Sequence, residues 1–288
     1  MSTVHFCGLD LKHPVINGSG TFDLLAAERV FGEAILERFP FAAFVSKTIT
    51  VEARAGNPPP RLYETPAGMV NSIGLPGPGI DRYIEKDLPL ISRLPVPLIT
   101  NVMGSTAAEV ATMLERLSGQ DTVRAIELNV SCPNVKTGLD IGSDALELSA
   151  FVQEVRPRTT KPLLVKLTPN VTNLPEIARA AEASGADALS LVNTLRAWAP
   201  HPERPGEPWL GASRGGLSGP AIRAVALSQV ESVAEAVSIP VVGMGGIAGP
   251  AHARQFLDAG ATLVAVGTES FREPLAAALV ASGLAAAT

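Results

Sequence analysis

The sequence predicts an α/β fold closed into a (β/α)8 barrel, and three observations carry the prediction. Eight short apolar, β-rich runs recur along the chain. Segments of helical spacing separate them, and polar residues or glycines stand where each run ends. Runs apolar on both faces are what parallel strands buried between helices require. Eight is the number at which such a sheet closes on itself into a TIM barrel.

Taken in order, strands are predicted over 14–18 (PVING), 42–47 (AAFVSK), 97–102 (PLITNV), 124–130 (RAIELNV), 162–167 (PLLVKL), 187–193 (DALSLVN), 240–244 (PVVGM) and 262–267 (TLVAVG). Helices are predicted over 106–118, 173–184 and 220–237. Pro162 and Pro240 stand just before strands, where a missing backbone donor does least harm. Gly185 and Gly260 follow helical runs and fit the position just past a helix end. The first thirteen residues predict a short N-terminal hairpin turning at Gly8. Two insertions rich in Pro and Gly, 51–80 and 195–218, follow the second and sixth strands. Both leave from the C-terminal ends of strands, the face on which barrel enzymes build their sites. An open doubly wound sheet fits less well, because no GxGxxG follows the first strand. Residues 1–288 read as a single domain.

Composition narrows the function classes. With 46% hydrophobic and 18% charged residues, a net charge of -5 and no Lys/Arg block, neither nucleic acid nor an acidic membrane is expected as a partner. No apolar stretch approaches a membrane span, and the amino terminus lacks the pattern of a secretory signal. Two cysteines are too few for a disulfide framework, an iron–sulfur cluster or a thiolate zinc site. No HxH, HExxH or CxxC is present, so no metal is expected. These features predict a cytoplasmic enzyme.

Polar residues cluster at the strand ends: Lys47 and Thr48, Asn101, Asn129, Lys166, Asn193 and Thr194, then Gly245, Gly246, Gly267 and Thr268. In a closed barrel these ends converge on one mouth, where a ring of amide, hydroxyl and ammonium groups suits a polar planar ligand. Any single Asn reads equally well as an ordinary cap. Lys166, embedded in LLVKLT, requires a partner or an anionic ligand. The glycine-rich stretches 243–249 and 265–268 suit a phosphate, with tight-turn chemistry as the alternative. Glu127, inside a strand, reads as half of a structural ion pair. Cys7 reads as a small buried hydrophobe. Cys132, just beyond the fourth strand in NVSCPNV, reads as another such hydrophobe, a nucleophile or a proton-transfer base.

The stretches 17–22 (NGSGTF), 46–48 (SKT), 71–79 (NSIGLPGPG), 127–136 (ELNVSCPNVK), 165–170 (VKLTPN), 192–194 (VNT), 215–220 (GGLSGP), 243–247 (GMGGI) and 266–268 (VGT) go further. In this order and spacing the chain resembles the dihydroorotate dehydrogenases of soluble class 1 over nearly its whole length. The resemblance implies an FMN-containing barrel that oxidises (S)-dihydroorotate to orotate in pyrimidine biosynthesis. It implies FMN binding by Ser19, Lys47, Thr48, Asn101, Asn129, Lys166, Val192, Gly219, Gly245, Gly246, Gly267 and Thr268. It implies substrate binding by Lys47, Asn71, Ser72, Ile73, Gly74, Leu75, Asn129, Asn193 and Thr194, with Cys132 as the catalytic base. It also implies a homodimer. Within class 1, NSIGLPGPG leans toward the NAD-linked 1B type, an FMN-bearing catalytic subunit in a heterotetramer with an FAD and iron–sulfur electron-transfer subunit. Other class 1 enzymes use fumarate. One departure is the Pro-rich insertion 195–218, which bears Trp198 and Trp209. The rival readings are another FMN-barrel oxidoreductase acting on a dihydropyrimidine-like ring, and a non-catalytic phosphate-binding barrel.

Overall fold

The computed structural model describes residues 3–130 and 141–286, so Cys132 lies outside the described residues. The chain begins with an antiparallel hairpin, β1 (Val4–Phe6) and β2 (Leu9–Leu11), turning through Cys7 and Gly8, both at positive φ. Phe6, Leu9 and Leu11 are buried against Ile16, Ile99, Leu164, Val242 and Leu263, side chains from inside the barrel. The hairpin is therefore a stopper in the barrel's amino-terminal end.

The barrel strands are β3 (Val15–Asn17), β4 (Phe44–Val45) and, after the strands β5 (Leu62–Thr65) and β6 (Gly68–Asn71) of the first insertion, β7 (Leu98–Val102), β8 (Val123–Asn129), β9 (Leu163–Lys166) and β10 (Ala188–Leu191). The second insertion contributes β11 (Leu195–Trp198) and β12 (Arg214–Ser218), and β13 (Val241–Met244) and β14 (Leu263–Val266) complete the barrel. Eight of these run parallel in the order β3-β14-β13-β10-β9-β8-β7-β4, seven within a predicted apolar run and β8 beginning one residue before its own. The seam between β3 and β4 is closed by a side chain. Asn17, fully buried, donates from Nδ2 to the Val45 carbonyl at 2.7 Å, and its Oδ1 accepts from the Val45 amide at 2.8 Å. A carboxamide presents one donor and one acceptor side by side, so it substitutes for a strand neighbour.

The outer helices form where the spacing predicts. Ala107–Ser118 is capped by Thr106, whose hydroxyl accepts from the Glu109 amide, and it buries Val110, Met113, Leu114 and Leu117 on one stripe. Leu174–Ala183 is capped by Asn173. The predicted 220–237 segment divides into a 3-10 turn, Pro220–Ile222, and the helix Arg223–Ala236.

The two insertions together form one antiparallel sheet in the order β11-β12-β6-β5. Asn71 pairs with Gly216, Val70 with Leu217 and Met69 with Ser218. Val70, Ala199 and Leu210 form a small core of their own beneath it, flanked by Tyr63, Trp209 and Leu217.

Candidate functional site

The strand ends open into a pocket of about 480 Å³ at the carboxy-terminal mouth. That volume suits a cofactor-sized ligand. Its walls come from the ends of seven of the eight barrel strands, all but β7: Ser19 after β3, Lys47 and Thr48 after β4, Asn129 ending β8 and Lys166 ending β9. Val192, Asn193 and Thr194 follow β10, Gly245 and Gly246 follow β13, and Gly267 and Thr268 follow β14. The insertion sheet supplies Leu62, Met69, Asn71 and Ser218, and the adjoining loop supplies Ile73, Gly74 and Leu75. Eleven of the twelve residues expected at FMN, and eight of the nine expected at substrate, therefore stand on one wall.

The exceptions are informative. Asn101 is fully buried and off the wall; its Nδ2 donates to Glu127 Oε1 at 2.5 Å. Ser72 is also fully buried, and its hydroxyl accepts from Asn57 Nδ2 at 3.0 Å. Glu127, expected in an ion pair, has its other oxygen held by the Ser190 hydroxyl at 2.6 Å. Cys7, expected as a buried hydrophobe, is only half-buried: its Sγ lies 3.5 Å from the Asp187 carbonyl oxygen, and its thiol is pushed up to about 11, by burial first and then by the Asp187 charge.

Wall residues that sequence reasoning passed over include Gly18, Gly20 and Thr21 after β3, and Glu269 and Phe271 after β14. The strand-end rule that found their neighbours would have reached them had it been carried a few residues further.

At one end of the pocket, glycine allows three loops to meet. A Cβ on Gly246, which has φ +75, would lie 2.7 Å from the Gly219 carbonyl oxygen and 3.0 Å from Pro220 Cα. A Cβ on Gly219, at φ +92, would lie 2.8 Å from Gly68 Cα. Only a residue without a Cβ fits such positions. The Thr268 hydroxyl donates to Ser218 Oγ at 2.9 Å, tying the loop after β14 to β12. Backbone amides at glycine loops beside a short helix form the kind of cradle that takes a phosphate.

Lys47 and Lys166 give the pocket two ammonium groups of different kinds. Lys166 is 7% exposed, enclosed by the strand ends. Lys47 stands at the open rim. Partial desolvation holds the Lys47 ammonium below the ordinary lysine value; Asp23 opposes that shift and Arg61 adds to it. Asn193 Nδ2 donates to Asn129 Oδ1 at 3.4 Å, so the two amides face each other across the wall. The set offers donors and acceptors for a planar heterocycle and positive charge for an anion.

Among the described residues no helix is long and apolar enough to cross a membrane, and no group of His, Cys, Asp and Glu is placed to hold a metal.

Comparison with known proteins agrees with this architecture. The structure resembles dihydroorotate dehydrogenase of Eimeria tenella in complex with ferulenol, with a TM-score of 0.79 over 98% of this chain and 83% of that one. At 22% sequence identity this likeness speaks for the fold. Sequence relatives are closer. The catalytic subunit of dihydroorotate dehydrogenase B (NAD(+)) from Desulforudis audaxviator is 45% identical over 287 residues, covering 98% of this chain and 91% of the relative. Its counterpart from Trichlorobacter lovleyi is 46% identical over 283 residues, with the same shares covered. With the model of the dihydroorotate dehydrogenase family matching residues 1–287 as well, the chain belongs to that family of flavin-dependent enzymes.

Proposed function

We propose that the chain, acting as one flavin-binding domain, oxidises (S)-dihydroorotate to orotate with FMN as its cofactor. The observation that carries the reading is the single mouth in which glycine loops, Lys166, Lys47 and the amides Asn71, Asn129 and Asn193 converge. The residues fit FMN on two counts. Gly219, Gly245, Gly246 and Gly267 line one end of the pocket with backbone that carries no side chain, the kind of lining a phosphate takes. Lys166, enclosed at the pocket floor, supplies the positive charge that a reduced isoalloxazine requires. Gly219, Gly245, Gly246, Gly267 and Thr268 would hold the phosphate end, and Ser19, Thr48, Asn129, Lys166 and Val192 the ring. When bound, FMN supplies two-electron acceptor chemistry.

The chain's own residues do the rest. Dihydroorotate is a planar-edged ring with imide groups and a carboxylate. Paired amides from Asn71, Asn129 and Asn193 match the imide edges, and the Lys47 ammonium matches the carboxylate. The Asn193 side chain also accepts from the Thr194 amide at 3.0 Å, fixing how this wall is presented. Oxidation of the ring CH–CH unit requires a base for one proton, and Cys132 is assigned that role. A thiol with an ordinary value of about 8.5 is mostly protonated at neutral pH, so turnover should rise in mild alkali.

The relatives are named as catalytic subunits of an NAD(+)-linked enzyme. On that pattern this chain works in the cytoplasm as a homodimer joined to an FAD and iron–sulfur subunit, which passes electrons to NAD. A second reading, oxidation of a different dihydropyrimidine ring, uses the same pocket and is weakened by Lys47, which suits a substrate carboxylate. One experiment separates these. The chromophore released from purified protein is identified, and the holoprotein is mixed anaerobically with dihydroorotate or with dihydrouracil. FMN release and bleaching of the flavin band by dihydroorotate alone are expected. FAD or no flavin, or bleaching by dihydrouracil instead, would refute the proposal.

A further inference from the structure

One buried acid stands outside the mechanism above. Glu127 is 2% exposed and points from β8 into the barrel interior, below the pocket. Both of its oxygens are held: Oε1 by Asn101 Nδ2 of β7 at 2.5 Å, and Oε2 by Ser190 Oγ of β10 at 2.6 Å. Glu127 is paired in register with Leu164 of β9, and Ser190 with Lys166 of the same strand. The carboxylate therefore reaches across the inner face of β9 and shares a layer of the interior with Lys166.

Two consequences follow from the chemistry. A carboxylate only accepts hydrogen bonds, so Asn101 must turn its NH2 toward Glu127 and its Oδ1 away. That Oδ1 is buried and has no protein hydrogen-bond partner among the described residues. The second consequence is electrostatic. A buried carboxylate in a low-dielectric interior acts over several ångströms, and it opposes the accumulation of negative charge nearby.

We propose that Glu127 acts on the flavin through its charge: it places a negative charge in the barrel interior, in the layer of Lys166, that lowers the reduction potential of the bound cofactor. The inference rests on the FMN reading. The charge offsets part of the Lys166 charge, so the reduced, anionic flavin is held less tightly than Lys166 alone would hold it. Reduced flavin then gives up its electrons more readily to the next carrier.

The test is a spectroscopic redox titration of purified holoprotein against a reference dye, in wild type, Glu127→Gln and Ser190→Ala. Glu127→Gln keeps the size and the hydrogen-bonding capacity and removes the charge. It should shift the reduced-to-oxidised ratio at a given dye poise about tenfold toward reduced flavin, or about 30 mV for a two-electron couple. Ser190→Ala removes a hydrogen bond and keeps the charge, and it should stay within about twofold of wild type. An unchanged ratio in Glu127→Gln, or equal shifts in both variants, would overturn the proposal, since the role would then be packing alone. Should Glu127→Gln fail to accumulate, the Glu127→Met/Asn101→Leu/Ser190→Ala triple variant removes the charge together with both partners it would strand, and the same shift is expected. Wild-type protein that binds no flavin would instead refute the underlying assignment, before any variant is compared.

Discussion

Replacing Asn17 by alanine should open the barrel at the seam between β3 and β4, which the Asn17 side chain bridges. Asn17 makes three hydrogen bonds: Nδ2 to the Val45 carbonyl at 2.7 Å, Nδ2 to the Gly18 carbonyl at 3.1 Å, and Oδ1 from the Val45 amide at 2.8 Å. Val45 is 2% exposed, so its amide and carbonyl would lose their partner with no water to replace it. Each stranded backbone group costs about 1–3 kcal/mol, and two together cost about 4 kcal/mol. Against a typical total of about 5–15 kcal/mol, that is a large fraction. Urea unfolding followed by circular dichroism, in a fixed excess of FMN, would measure the loss as a lower midpoint at unchanged slope. Asn17→Asp should do no better than alanine, because it keeps the acceptor but sets a carboxylate oxygen against the Val45 carbonyl. A loss below about 1 kcal/mol in both variants would refute the reasoning and show that backbone contacts such as Ala42 amide to Val15 carbonyl, at 2.9 Å, suffice to close the seam.

Further expectations concern the site and the titrating groups. Cys132→Ala should leave flavin and orotate binding intact while turnover falls by roughly 10² to 10⁴, the usual worth of a general base; stopped-flow flavin bleaching at the wild-type rate would exclude the assignment. Gly246→Ala should weaken FMN binding about tenfold or more through strain at φ +75 and contact with Gly219, as read by fluorescence titration of the apoprotein. Cys7, with its thiol pushed up to about 11, should resist iodoacetamide at pH 8 until the protein is denatured; peptide mass spectrometry of native samples would reveal early labelling if this is wrong. His13 is lowered to about 4 by burial and by Lys12. Its folded value lies below its unfolded value, so its contribution to stability is complete above about 6.5 and is lost as pH falls toward 4. A His13→Gln variant should flatten that part of the stability profile.

The barrel was legible because its strands are buried on both faces, which leaves continuous apolar runs such as LLVK in β9 and LVAV in β14. The insertion sheet was not. In β5, LYET alternates between exposed and half-buried, and Gly and Pro around it read as loop. Its pairing partner is remote in sequence, so no local pattern announces it. Much of the candidate site was legible for a geometric reason: closure brings every strand end to one mouth. Asn101 and Ser72 show where that logic stops. Position along a strand or loop says that a residue is near the mouth, but the direction of its side chain depends on partners such as Glu127 and Asn57, which only the folded chain brings within reach.

The shared sheet over the mouth has a consequence for the order of synthesis. Asn71 and Gly216, joined across β6 and β12, are 145 residues apart. At translation rates of about 5–20 residues per second, roughly 7 to 30 s pass between the emergence of one and the other. During that interval β5 and β6 can pair only with each other, and the far edge of β6 is exposed to the nascent chain's surroundings. The mouth is therefore among the last parts of the molecule to be completed. A translation product released before residue 214 would carry most of the expected ligand-binding residues and lack the strand that roofs them over.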